Sequence, residues 1–255
     1  MNALAALTLN GFREARRNRV TTVVYAFALL IIFSSTVALD MTVATFDRVM
    51  IDLGLGSMSL IAAFLSIFLA SGLIPKEIER RTIFMVLAKP LSRSKFILGR
   101  FFGNLLTVYA VIVAMGALLL AQLVAQNVVL HTSLWASMLG IALQSLVVSA
   151  IAFAFAAATS QFVTAVTSVS FYFLGHLAPD LYTMAERSKV EAVKWMAKGL
   201  YYVLPNLDRL NFNSRATYRD PVEWSELLGS TTYAVGYAAV MLFIAAALFE
   251  RRDFK

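Results

Sequence analysis

The sequence predicts an all-α integral membrane protein with six transmembrane helices and an N-terminal interfacial helix, in a single domain over residues 1–255. Three observations lead there. Hydrophobic residues make up 60% of the chain and charged residues only 15%, against roughly 25% charged in a soluble globule. Mean hydropathy is +0.74. The charges gather in short stretches, and the runs Met58–Ile74 and Phe101–Ala125 hold none. Such runs match the ~20 apolar residues that carry a helix across a bilayer core. The formal charge of +7 does not point to nucleic acid, because the basic residues flank apolar spans rather than interleaving with aromatics. The chain has no cysteine, so disulfides and thiolate metal sites are excluded.

Each element follows in order. Residues 1–19 predict a short helix lying in the membrane interface. Leu4, Leu7 and Phe12 share one broad face, while Arg13, Arg16, Arg17 and Arg19 crowd its end, where anionic lipid attracts them. A basic leader with a signal-peptide core is the competing reading, but span one, 20–39, exceeds the usual ~7–15-residue core. A short loop with Asp40, Asp47, Arg48 and Asp52 precedes span two, 53–74, where Gly54 and Gly56 predict close helix contact. Pro75 has no amide hydrogen and suits a first helical position, so it predicts a break and a fresh helix start. Span three, 94–125, is too long for one perpendicular crossing and must tilt or project.

Spans four, 134–158, and five, 162–179, are separated only by uncharged Thr159–Gln161 and predict a tight helical hairpin rich in small residues. Residues 180–226 form an outer loop with seven basic and seven acidic residues. Within it Val190, Val193, Trp195, Met196 and Leu200 predict short amphipathic helices at a membrane face, stopping at Pro205. Span six, 227–249, leads into a charged tail, Glu250–Lys255.

Six spans put both chain ends on one side. Fourteen basic residues fall there, in the N-terminal stretch, the 75–100 segment and the tail, against eight on the other side. The excess sits in short segments, which set orientation most strongly, so both termini are expected in the cytoplasm.

Catalytic constellations are missing from the sequence. His131 and His176 stand far apart without a partner motif, and a lone histidine near a span end ordinarily serves as an interfacial polar group. Neither GxSxG nor HExxH occurs, and no GxxxxGK[ST] loop is present to cradle nucleotide phosphates. The middles of the spans carry no charged residue of the kind that marks ion or proton paths. Asn104, Gln144 and Gln161 are the main amides in or near the spans, and interhelical hydrogen bonding is their expected role.

The most informative stretch is Ile74–Arg100. Seven basic residues (Lys76, Arg80, Arg81, Lys89, Arg93, Lys95, Arg100) and two acids (Glu77, Glu79) sit between two uncharged spans. Residues 76–88 predict a short helix with both acids in its first turn, where the helix dipole favours them. Ile83–Leu87 then form an apolar patch too large to leave in water. Lys89 precedes Pro90 and is pushed out of the α region, and Ser92 or Ser94 can cap the next helix. The residues alone leave two readings open: a topogenic charged loop resting on the membrane, or a docking element for a soluble partner.

The run EIERRTIFMVLAKPLSRSKFILGRFFG resembles the signature loop of ABC-2-type transporter permeases, in their six-span copper-processing and sodium-export branch. The matching positions are Glu77, Glu79, Thr82, Lys89, Pro90, Ser92, Arg93, Leu98, Gly99 and Arg100. The tail Phe249–Lys255 is similar to the ending of many such permeases, and Leu204–Phe212 resembles a segment before their last span. Where many members have Gly before the Thr, this chain has Arg81.

The resemblance implies a cytoplasmic coupling helix between spans two and three, in a coupling region 75–93 whose docking residues are Glu77, Glu79, Arg80, Arg81, Thr82, Lys89, Pro90, Ser92 and Arg93. It implies a non-enzymatic exporter subunit in a prokaryotic inner membrane, paired with a second, identical permease copy and two P-loop ATPase subunits. ATP and Mg would be bound by those subunits and no cofactor by this chain. The cargo path would lie between the two permease copies. The competing reading is a scaffold that passes ATPase motion to an envelope partner at the 180–226 loop without moving cargo.

Overall fold

In a computed structural model the described residues are 43–79, 93–187 and 190–251, with isolated positions between 8 and 30. Among them every regular element is helical: α1 (Val43–Glu79), α2 (Arg93–Ala125), α3 (Thr132–Ala158), α4 (Gln161–Arg187), α5 (Glu191–Val203), a 3-10 turn (Asp208–Leu210), α6 (Asn213–Tyr218) and α7 (Trp224–Glu250). Five of these, α1, α2, α3, α4 and α7, are long and apolar enough to cross a membrane. The chain is thus a helical, multi-pass membrane protein. Most of span one and the N-terminal helix with Arg13, Arg16, Arg17 and Arg19 lie outside the described residues, although Phe27 is fully buried in the core between α1 and α2.

α3 is the central helix. It is apolar all round, is the most buried of the five, and packs against α1, α2, α4 and α7. A helix without a polar face can only be stable when enclosed. α1 and α2 run antiparallel, with Leu119 closing on Gly54 and Met58 on Gly116. Phe101 meets Phe153 edge-on at 5.5 Å, and Asn104 reaches Ser149, so α2 also runs antiparallel to α3. α2 stops where Asn127 adopts the left-handed conformation (φ 57°) and Val128 N–H donates back to the Leu123 carbonyl at 2.9 Å. The predicted hairpin of α3 and α4 is present, turning at Thr159 and Ser160.

These pairings sort the chain into two ends. Glu79, Arg93, the Thr159 turn and Glu250 lie at one, called the near end. The start of α1, the α2–α3 loop and residues 190–223 lie at the other, the far end.

The structure corrects several expectations. The loop expected up to Asp52 is helical from Val43, because its charges find distant partners: Arg219 Nη2 pairs with Asp47 at 2.7 Å and Arg48 lies over the Tyr218 ring at 5.4 Å. Gly54 is a close-contact glycine as expected, whereas Gly56 has nothing near it. Pro75 does not break the chain direction, since α1 continues through it to Glu79. A proline removes a single helical hydrogen bond, and a helix held by its partners over many turns survives that loss.

Span five likewise does not end at Pro179; α4 continues through it to Arg187. Here the reason is visible. Pro179 cannot donate to the Gly175 carbonyl, and Leu207 N–H donates to that carbonyl instead at 3.1 Å. The outer loop is therefore largely structured. α5 folds back along α4 and ends at Val203, just before Pro205 as expected. The following chain wedges between α3, α4 and α7, burying Leu207, Leu210 and Phe212.

Candidate functional site

At the near end the sequence-predicted docking residues divide. Glu77 and Glu79 ride on the last described turn of α1, in place of the first turn of a separate helix, so no N-terminal dipole favours them there. Arg93 opens α2. Arg80, Arg81, Thr82, Lys89, Pro90 and Ser92 lie outside the described residues. Ser94 is no cap, because it sits inside the first turn of α2. Its Oγ donates to Glu250 Oε1 at 2.7 Å.

That hydrogen bond belongs to a compact joint. Phe96 and Phe249 stack with centroids 5.9 Å apart, and the buried Arg100 guanidinium lies over Phe96 at 5.9 Å. Two segments separated by most of the chain, the Ser94–Arg100 turns and the Phe249–Arg251 tail, thus touch. Both carry residues of the family-like pattern. The third such segment, Leu204–Phe212, is placed at the far end.

The bundle interior carries a short polar relay. Ser59 on α1 donates to Gln144 Oε1 on α3 at 2.9 Å, and Gln144 Nε2 lies 2.6 Å from His176 Nε2 on α4. Because the amide donates here, His176 Nε2 accepts, which requires the neutral ring with its proton on Nδ1. Tyr172 packs edge-on against His176 at 4.8 Å. His176 is therefore not an interfacial group as expected: it joins helices. Gln144 and Asn104 have the interhelical role expected of them, Asn104 Nδ2 reaching Ser149 Oγ at 3.4 Å. No sequence pattern could pair His176 with Gln144, because the match arises only from the register of the α3–α4 hairpin.

At the far end α7 satisfies several backbone polar groups of the wedged segment and its approach. Tyr237 donates to the Val203 carbonyl at 3.3 Å, Asn206 N–H donates to Tyr233 Oη at 2.7 Å, and Ser230 donates to the Arg209 carbonyl at 3.1 Å. Irregular backbone is tolerated at membrane depth only on such terms. Beside it a polar cavity of about 370 Å³ is lined by Asp208, Arg209, Arg215, Ser225 and Glu226, with Arg215 and Glu226 ion-paired at 2.7 Å. Among the described residues no group of three or more His, Asp or Glu side chains is placed to hold a metal.

No protein-family model matches this chain, and no curated protein matches it. The near-end joint, the relay and the far-end wedge define the class on their own terms: a multi-pass helical membrane bundle whose long helices pack around a central α3.

Proposed function

We propose that the chain is the membrane subunit of an ABC-2-type exporter, driven by separate P-loop ATPase subunits that dock at residues 75–93. One observation carries this reading. The segment resembling a permease coupling loop begins and ends on two antiparallel helices, α1 and α2, and the permease-like tail is joined to the same end through Ser94–Glu250. A push on that segment bears directly on α1 and α2. From α1 it passes to α3 and α4 through Ser59, Gln144 and His176, and to the far end through Asp47 and Arg219.

In this proposal the chain itself hydrolyses nothing, and ATP and Mg belong to the partner. Two identical copies form the transport unit in the inner membrane of a prokaryote, with N- and C-termini in the cytoplasm and the cargo path between the copies. The contacts Asp47–Arg219 and Asp52–Thr217, which join α1 to the 180–226 segment, also favour a second reading, in which motion is delivered to an envelope partner at 180–226 without cargo.

Purification of the tagged chain with its bound proteins tests the core of the proposal. Native mass spectrometry is expected to give two copies of this chain with two ATPase subunits. A stable assembly holding a single copy, or none with an ATPase, rejects it. ATP-dependent movement of co-purified cargo in vesicles then separates exporter from scaffold.

A further inference from the structure

α5 is amphipathic with its two faces reversed. Its polar stripe faces the protein: Lys194, Lys198 and Tyr201 are half-buried against α4, with Lys198 Nζ 5.9 Å from the Tyr182 ring and Tyr201 4.9 Å from it. The apolar stripe of Val193, Met196, Leu200 and Val203 faces away, exposed by 44, 66, 43 and 64%. Trp195 and Tyr202 flank it at 76 and 79% exposure. No residue of the helix is buried. A helix at a water-facing surface turns its apolar stripe inward, so the medium outside α5 is itself apolar.

Depth agrees. The Val203 carbonyl accepts from Tyr237, which lies roughly 20 Å along α7 from Trp224 at ~1.5 Å per residue. The C-terminal half of α5 is thus drawn well inside the far end of the bundle. The membrane-length helices α4 and α7 expose apolar side chains in the same way, Phe173 and Leu177 on α4 and Val240 and Phe243 on α7. Tryptophan and tyrosine at the margins suit a membrane–water boundary.

We infer that α5 is a leaflet-embedded helix: its apolar stripe contacts acyl chains of the far-end leaflet, and its lysines are turned inward against α4. Lipid is the partner of this surface. The inference rests on membrane embedding alone and not on the exporter reading, so either can fail without the other.

The cysteine-free background allows single spin labels at 191, 193, 196, 197, 200 and 203 in the full chain, reconstituted into phosphatidylcholine–phosphatidylglycerol vesicles. Collision with oxygen, which concentrates in lipid, is compared with collision with a water-soluble nickel chelate. Oxygen is expected to exceed nickel at 193, 196, 200 and 203 and to fall several-fold at the half-buried position 197. Nickel is expected to dominate at Glu191, on the first turn. The substituted sites other than 197 are exposed, so the labels do not disturb packing. High nickel accessibility along the whole stripe would place α5 in water and overturn the inference. Low accessibility to both probes would place a protein there instead, and spin–spin broadening would identify that protein as a second copy.

Discussion

Gly140 and Gly175 are where the far-end segment comes closest to the bundle, and both are set by backbone contact. A Cβ at Gly140 would collide with the Leu210 carbonyl oxygen, and one at Gly175 would lie 2.8 Å from that of Pro205. Carbonyls fixed by a hydrogen-bonded wedge cannot step aside as a side-chain tip can. Gly140→Ala is therefore expected to destabilise the protein by about 1–3 kcal/mol through overpacking. Gly236→Ala, inside α7 with nothing near its Cβ, should be neutral to slightly stabilising, since alanine is the better helix former. Thermal unfolding in detergent followed by tryptophan fluorescence checks the pair; equal midpoints would mean that the wedge is not tightly seated. Pro179 acts with Gly175, since the proline leaves the carbonyl free and the glycine leaves room for Leu207 N–H to reach it. The relay makes a second demand at this scale. Gln144→Leu keeps the volume but strips Ser59 and His176 of their shared partner. Interhelical hydrogen bonds in membranes are modest, so a loss on the order of 1 kcal/mol is expected. His176→Phe in the Gln144→Leu background should then add little, which a double-mutant cycle on unfolding would measure.

The helices show what a sequence can and cannot announce. Spans three, four and six were legible to within three residues at each end, because uncharged runs of that length have one stable form in a bilayer. The errors cluster where a local signal was overruled from afar. Asp47 and Arg48 look like loop residues until Arg219 and Tyr218 are placed beside them. Pro179 looks like a stop until Leu207 takes up its orphaned carbonyl. The near-end joint was half legible: its two motifs were readable, but their contact through Ser94 and Glu250 was not, being a matter of packing between α2 and α7. The continuity of α1 through Pro75 changes what Glu77 and Glu79 are for. At the end of a long helix they gain nothing from a dipole, and the exporter proposal assigns them to basic groups of the ATPase. Glu77→Ala with Glu79→Ala is expected to preserve expression and insertion while weakening ATPase retention by ~2 kcal/mol or more, as for charged pairs lost at an interface. The same exchange at exposed Glu186 and Glu191, at the other end, should leave retention unchanged. ATPase binding like the parent's in the double variant would make the two acids topological groups.

At the scale of the whole molecule the bundle has two unlike ends, a compact aromatic joint at one and a wedged, ion-paired segment at the other. The surface ion pair Asp47–Arg219 adds little energy by itself, since exposed pairs contribute ~0–1 kcal/mol. Its value is positional: with the Thr217–Asp52 contact it sets α6 against the first turns of α1. The packing also bears on sidedness. α3 and α4 form a full antiparallel pair, held together at Gln144 and His176 and turning only at Thr159 and Ser160, so neither helix is a shallow dip. Residues 190–223 and the near-end joint then lie at opposite ends of the bundle, and the proposed topology puts them on opposite sides of the membrane. With the basic excess setting orientation, Ser214, exposed on α6, is expected outside and Ser160, exposed in the hairpin turn, inside. In the cysteine-free chain, Ser214→Cys should react with an impermeant maleimide in intact cells, and Ser160→Cys only after lysis. The opposite pattern would invert the molecule and move the proposed docking segment away from any cytoplasmic ATPase. Labelling of both from outside would break the geometry itself, because the two positions are separated by the length of α4.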